Sequence, residues 1–284
     1  MNNKALQIIK KYTDQKANVS EWKYIEAQVN ECVATEKPIT LISFTCSTIN
    51  SEYMYDQEKP EKYVSLDPCG NNLEVDLPRL QDLYVELSQV YPVRIVILIG
   101  NTDPYYIYTQ QAKMFSFGKE EFFKRFNKRW VQYKTKLDLS IKEQFPKLDF
   151  ELISWYEFET DWKENGWDFE KFYMRTYKRI KSLYKQSDFD WELSKLNEAF
   201  GPGKYFEKLK RPSQTVLKDW ILRKFSEYTV QGFWIKLFWP EAILIQNEKP
   251  SLLRTKMYQP LIEEYLQSRL PVIYPYGIDN KGYQ

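Results

Sequence analysis

The sequence predicts an α/β fold, in which a parallel sheet is flanked by helices, and three stretches of the chain carry that prediction. ITLISFTC (39–46) and the middle of YPVRIVILIGNTD (91–103) are apolar runs rich in β-branched residues. Between them, DLPRLQDLYVELSQV (76–90) has apolar residues at helical spacing. Strand, helix and strand, with apolar positions throughout both strands, are typical of a parallel sheet that is covered on both faces. We therefore expect a Rossmann-like domain, whose ligands bind beyond the carboxyl ends of the strands.

The first 36 residues are predicted to form a helical extension that precedes this domain. ALQIIKKY and SEWKYIEAQVNECV both have helical patterns, with Ser20 as a candidate N-cap and Pro38 as the breaker. The chain is accordingly divided into an N-terminal helical extension (1–36) and a Rossmann-like domain (37–284).

The later part of the domain is predicted to add one more strand and further helices. FELISWYEF (150–158) contains a third short strand, and a helix is expected around 256–270. QGFWIKLFWPEAILIQ (231–246) is an aromatic-rich segment that the pattern assigns to neither class, and 271–277 is a last apolar run.

The composition is that of a soluble protein, which we expect in the cytoplasm. Of the 284 residues, 43% are hydrophobic, enough to bury a full core. The charged opening stretch has no signal-peptide core, and no run reaches the roughly 18 uncharged residues of a membrane span. The three cysteines, Cys32, Cys46 and Cys69, lack metal-site spacing and are expected to be reduced. The net charge is only +2, so a charged partner must be met by local patches.

The chain contains no histidine, which excludes Ser-His-Asp and Cys-His mechanisms and histidine-ligated metals. No GxGxxG or GxxxxGK[ST] motif follows either strand, so we expect no nucleotide cofactor. We expect no metal, because the chain has no histidine and its cysteines lack metal-site spacing. An enzyme of this composition would act on a substrate that is already activated, or would use Tyr, Glu or Lys for proton transfer. The alternative is a protein without catalytic activity.

Two segments are predicted to be helices with one apolar and one basic face. In the first (119–139), aromatic residues and Leu137 line one side. The neighbouring side carries Lys124, Arg125, Lys128, Arg129 and Lys136. In the second (168–186), Phe169, Tyr173, Tyr177, Ile180 and Tyr184 point inward, and Lys171, Arg175, Lys178, Arg179 and Lys185 point outward. Such faces fit an RNA backbone, since Lys and Arg contacts to phosphate dominate affinity, although a solvated lysine-rich face is the alternative for each helix.

The residues that follow the first strand, T-C-S-T-I-N-S-E-Y (45–53), resemble the G-x-S-x-x-N-S-x-[YF] run of cyclodipeptide synthases. The resemblance implies that Ser47 is the nucleophile and that Asn50 helps to organise the serine loop. Ser51 completes the Asn-Ser pair of one subfamily, and Thr45 stands where the family has glycine.

A second stretch, E-Y-L-Q-S-R-L-P-V (264–272), is similar to the family's Y-x-x-x-E-L-P. The similarity implies that Tyr265 is the catalytic tyrosine that orients the substrate amino group, and that Tyr283 belongs to the family's later Tyr-Gln pair. Arg269 stands where the family has an acidic residue. Glu263 or Glu264, another acid such as Glu157 or Glu159, or an altered activity would account for that departure.

Cyclodipeptide synthases, as the resemblance implies, consume two aminoacyl-tRNAs for each 2,5-diketopiperazine. They do so through an aminoacyl-enzyme and a dipeptidyl-enzyme on the serine. Aminoacyl-tRNA is therefore the expected partner, and the basic faces are the expected tRNA-binding surface. A noncatalytic tRNA- or RNA-binding module and an isonitrile-synthase-like enzyme that acts on a free amino acid are the alternatives.

Overall fold

The computed structural model describes residues 2–14, 19, 21–46, 73–100, 119–154, 157, 168–200, 214–245 and 259–273. Within these ranges the chain forms helices and strands in the order α1 (Asn2–Lys11), α2 (Trp22–Ala34), β1 (Ile39–Cys46), α3 (Leu73–Ser88), β2 (Val93–Gly100), α4 (Lys119–Gln144), β3 (Glu151–Ser154), α5 (Phe169–Leu183), α6 (Gln186–Phe200), α7 (Gln214–Phe238), β4 (Ala242–Ile245), α8 (Gln259–Leu266) and β5 (Val272–Ile273).

The five strands form one parallel sheet in the order β3-β2-β1-β4-β5, which confirms the predicted α/β, Rossmann-like architecture. The chain builds outward from β1 through β2 to β3, and then returns to the other side of β1 for β4 and β5. The strand order therefore reverses between β1 and β4. In open α/β sheets this reversal leaves a crevice at the carboxyl ends of the strands, where ligands bind.

The sheet is apolar on both faces, which explains why its strands read as continuous hydrophobic runs. Leu41, Ile97 and Ile243 belong to one buried core, together with side chains of α1, α2, α3 and α4. Ile42 and Leu98, which alternate with those positions, belong to a second core with α5, α7 and α8. The molecule thus has helical layers on both sides of the sheet.

The N-terminal helices are part of the first core. Ala5, Ile9, Ile25, Val29 and Cys32 are all at most 1% exposed within it. The boundary between an extension (1–36) and a domain (37–284) remains a prediction. Ser20 lies outside the described residues. The residue that precedes α2 is Glu21, whose side chain makes no capping hydrogen bond.

The segment 231–246 comprises the end of α7 and the whole of β4. Val230, Phe233, Trp234 and Ile235 of α7 are all at most 4% exposed, because the sheet lies on one side of this part of the helix and α5 and α8 on the other. A helix that is buried all round lacks the amphipathic period, so its pattern does not distinguish it from a strand. No helix in the described ranges has the length and apolar character required to cross a bilayer.

Candidate functional site

The carboxyl edge of the sheet is described on both sides of β1. β2 accompanies β1 as far as Cys46, which is opposite Gly100. On the other side, where the strand order reverses, the described part of β4 pairs with β1 from Thr40 to Ser43, which is opposite Ile245. The residue that follows Cys46 is Ser47, the predicted nucleophile, which lies outside the described residues together with Asn50 and Tyr283.

Tyr265 lies on α8 and is partly buried among aromatic side chains. Its ring centroid is 5.7 Å from that of Phe172 on α5 and 6.0 Å from that of Phe233 on α7. Because α8 links two parallel strands, it runs back from the carboxyl ends of the strands toward their amino ends. Tyr265 precedes the last residue of α8 and so lies in the half nearer the amino ends. Its proximity to Ser47 remains a prediction.

Arg269 is held in a network with two carboxylates. Its Nη2 donates to Glu21 Oε1 at 2.6 Å, and its Nη1 donates to Glu263 Oε1 at 3.1 Å. The guanidinium carbon lies 4.4 Å from the ring centroid of Tyr24. Burial lowers the pKa of Arg269, but the hydrogen bonds and charges of its neighbours, chiefly Glu21 and then Glu263, together outweigh it and the pKa is raised. Arg269 therefore remains positively charged and is paired with Glu21, the residue that precedes α2.

The acids that could stand in for the missing family residue also have cationic partners. Glu263 pairs with Arg269, and Glu264 pairs with Arg179 at 3.0 Å. Glu157 pairs with Lys134. The remaining candidate, Glu159, lies outside the described residues. A free carboxylate for the substrate amino group is therefore not found among these three described candidates.

The helix α5 has the predicted division into an apolar and a basic face. Tyr173, Tyr177, Ile180 and Tyr184 are at most 9% exposed. Lys171, Arg175 and Lys178 are exposed, and none of them has an ion-pair partner among the described residues. Arg179 is also exposed, but its charge is shared with Glu264. Three cations on α5 are thus available to an anionic partner.

The basic face of α4 is described in part. Lys124 is exposed and Leu137 is buried, as the helical pattern predicts. The side chains of Arg125, Lys128, Arg129 and Lys136 lie outside the described part of the structure, so their role remains a prediction.

A polar network that was not predicted from the sequence connects α5 and α7. Tyr177 donates to Asp219, which also accepts from Arg223 Nε at 2.8 Å. Burial, and then the hydrogen bond to Asp219, raise the pKa of Tyr177 to about 12. Burial disfavours the Asp219 carboxylate, but hydrogen bonds from Arg223 and Tyr177 lower its pKa below the usual value. The signal was available, since Asp219 and Arg223 have the i,i+4 spacing of helical ion pairs.

The described residues also line a cleft beside Arg269. An open cleft of about 580 Å³ is lined by Val19, Trp22, Lys23, Tyr24, Glu26 and Arg269. No cluster of three or more potential metal ligands occurs in the part of the chain that the structure describes.

Comparison of the sequence with models of protein families and with curated proteins yields no match. Among solved structures, a CDPS from Fluoribacter dumoffii is similar to the chain, with a TM-score of 0.42 and 11% sequence identity. The similarity covers 83% of this chain and 88% of that one. At this identity and TM-score it assigns no activity, substrate or site residue to the chain.

Proposed function

We propose that the chain is an aminoacyl-tRNA-dependent cyclodipeptide synthase, with Ser47 as the nucleophile. The proposal is carried by one observation: the run that resembles the family's serine motif begins at the end of β1, the central strand, where the strand order reverses. This is the position at which open α/β sheets bind ligands.

The absence of histidine is compatible with this chemistry. An aminoacyl ester is already activated, so acyl transfer to a serine requires no nucleotide site and no imidazole base. The hydroxyl of Ser47 attacks the ester carbonyl of the first aminoacyl-tRNA. The bond to the ribose oxygen breaks, and that oxygen takes up the serine proton. An aminoacyl ester of Ser47 and free tRNA result.

The second step joins the two amino acids on the same serine. The amine of the Ser47-bound aminoacyl group attacks the ester of the second aminoacyl-tRNA and releases the second tRNA. Attack in the other direction would leave the dipeptide on RNA and would not give a dipeptidyl-enzyme. The new terminal amine then attacks the Ser47 ester, which closes the diketopiperazine and frees the serine.

In this scheme Asn50 organises the serine loop and the Tyr265 hydroxyl orients the amine. Geometry is the main requirement, because holding two reacting groups together is worth about 7 to 11 kcal/mol. The exposed cations of α5 and Lys124 of α4 support the tRNA part of the proposal, since each exposed cation can neutralise a phosphate.

A noncatalytic tRNA-binding module is the second candidate, and the contacts of Arg269 favour it. This residue stands where the family has an acid, and its guanidinium is bound to Glu21 and Glu263. A protein that has lost the acid could keep the sheet and the basic faces and still bind tRNA.

The deciding experiment is incubation of the purified chain with radiolabelled aminoacyl-tRNAs. We expect label in an ester on the protein and in released diketopiperazines, and we expect both to disappear in Ser47→Ala. Ser43→Ala is the matched control, because Ser43 lies on β1, four residues before Ser47 in the sequence, and is only 2% exposed. Formation of diketopiperazine by Ser47→Ala would refute the assignment of Ser47 as the nucleophile. Retention of tRNA without acylation of the wild-type chain would favour the binding module, and turnover of a free amino acid would favour an isonitrile-synthase-like enzyme.

A further inference from the structure

Arg269 joins two parts of the molecule that are far apart in sequence. It lies between the end of α8 and the start of β5, and its partner Glu21 precedes α2, 248 residues earlier. Its other partner, Glu263, is a residue of α8 itself. The guanidinium therefore connects α2 to α8 through one side chain.

The connection is buried on the side of Glu21. The side chain of Glu21 is 4% exposed and that of Arg269 is 20% exposed. Within the described residues, Glu21 Oε2 has no hydrogen-bond partner, so Arg269 provides the compensation for this buried carboxylate. A buried carboxylate left without its cation is strongly destabilised. The link between Glu21, at the start of α2, and the segment that follows α8 thus depends on Arg269.

The helix α8 depends on its neighbours for its position. It has 8 residues, and a helix of that length is marginal without tertiary contacts. It ends at Leu266. The next residue, Gln267, adopts φ of 51°, in the left-handed region, and its N–H donates to the Glu263 carbonyl at 2.8 Å. Arg269 follows this turn by two residues and reaches back to Glu263. The end of α8 that carries Tyr265 is therefore the end that Arg269 holds.

A second arginine binds α8 in a different way and provides a comparison. Arg179 of α5 pairs with Glu264, but these two side chains are 44% and 48% exposed. Exposed pairs of this kind contribute little, because water screens them and both side chains lose mobility. The guanidinium of Arg269 also lies against the ring of Tyr24, which adds a cation–π contact. Arg269 thus differs from Arg179 in having a buried partner, Glu21, while its contact with α8 itself is to Glu263, which is 43% exposed.

We infer that Arg269 is a positioning residue, which fixes the end of α8, and with it Tyr265, by docking that end onto the buried carboxylate of Glu21. The N-terminal helices are then a structural requirement of the site. The part that concerns Tyr265 rests on the proposed function; the coupling of α2 to α8 does not. The substitution of Arg269 for the family's acid thereby acquires a role.

Hydrogen exchange of the full chain tests the coupling without any assay of activity. In Glu21→Gln, we expect the amides of α8 to lose about tenfold or more in protection, because the half-buried Arg269 loses the negative charge of its buried partner. The matched control is Glu26→Gln, the same substitution on α2 at a residue whose partner is Lys10 of α1, at 3.0 Å. Loss of protection confined to α2, or an equal effect of both variants on α8, would overturn the inference.

The arginines provide a second, independent comparison. Arg269→Met should lower the protection of α8 and of the first turn of α2 together, whereas Arg179→Met should change α8 by no more than about threefold. Equal effects of the two variants would contradict the inference. If Arg269→Met does not fold, Glu21→Gln still decides the question, because it preserves the size and hydrogen-bonding capacity of the side chain.

The link to Tyr265 is tested by the rate of diketopiperazine formation. If Arg269 and Glu21 act through the Tyr265 hydroxyl, Glu21→Gln should lower kcat and add nothing further to Tyr265→Phe. Additive losses would show that they do not act through that hydroxyl. A wild-type chain that makes no diketopiperazine would end the proposed function and the Tyr265 part of the inference, while the exchange results would still decide the coupling.

Discussion

A triple variant in which glutamine replaces Lys171, Arg175 and Lys178 should show a weaker salt dependence of tRNA binding. All three side chains are exposed on one helix, and none has an ion-pair partner among the described residues. If each neutralises one phosphate, each contributes about 0.7 to 0.9 to the slope of log affinity against log salt. The triple variant should therefore lose about 2 to 3 from that slope.

The expected change is large enough to measure by fluorescence anisotropy with labelled tRNA. When the salt concentration rises from about 50 to 200 mM, the wild-type chain should lose more affinity for tRNA than the triple variant does. A slope that differs by 2 to 3 makes this difference roughly 20- to 60-fold. Lys4, Lys37 and Lys147 are exposed cations outside α4 and α5, and their triple glutamine variant is the matched control for net charge. Arg179→Gln should lower the slope less than Arg175→Gln, because Glu264 already offsets the charge of Arg179.

Two results would refute the reasoning. An unchanged slope in the α5 triple variant would make this face a solvated surface. An equal decrease in the control triple variant would mean that tRNA responds to the net charge of the protein and not to a defined face.

Three further predictions concern single side chains. Tyr265→Phe should slow diketopiperazine formation. It should leave the thermal unfolding temperature nearly unchanged, since the ring contacts with Phe172 and Phe233 are kept. A fully active variant would show that Tyr265 serves only in packing. Glu36→Gly should stabilise the protein by about 1 kcal/mol in urea unfolding, because Glu36 has φ of 56°, where glycine avoids the side-chain clash; no gain would contradict this. Folding raises the pKa of the Tyr177 hydroxyl to about 12, from a value near 10 in the unfolded chain. The protonated hydroxyl therefore stabilises the fold fully below pH 10, and this stabilisation is lost between pH 10 and 12. The loss of stability measured over that interval should be smaller in Tyr177→Phe, and an unaltered pH profile would exclude Tyr177 as its source.

A helix or strand can be predicted from the sequence when its hydrophobic pattern follows directly from which of its faces are buried. β1 has apolar residues on both faces because helices cover both sides of the sheet, and its predicted bounds match the observed Ile39–Cys46. α5 has one solvated face, so the helical period is visible, and the inward positions of Tyr173, Tyr177, Ile180 and Tyr184 were predicted correctly. The side chain of Phe169 lies outside the described part of the structure. Neither inference requires knowledge of a distant partner.

The parts that were missed depend on such partners. α7 is covered on several sides, so its period is lost, and β4 was not separated from it. The pairing of Glu21 with Arg269 spans 248 residues, and no local spacing predicts a contact between single charges at that separation. Arg269 could be recognised in the sequence because it departs from the Y-x-x-x-E-L-P pattern. Its role could not be predicted, because that role depends on the distant Glu21.

That contact also limits how an active synthase could hold its substrate. The family's acid would attract the substrate ammonium group, whereas a cation at the same position repels it unless its charge is neutralised. Arg269 is neutralised by Glu21 and Glu263, so the repulsion is reduced, but Glu263 is thereby occupied. Glu264 and Glu157 have cationic partners of their own. Catalysis by this chain would therefore depend on hydrogen bonding to a neutral amine, or on an acid outside these three pairs, such as Glu159. If the proposed activity is correct, either requirement would distinguish the chemistry of this chain from that of synthases that keep the acid.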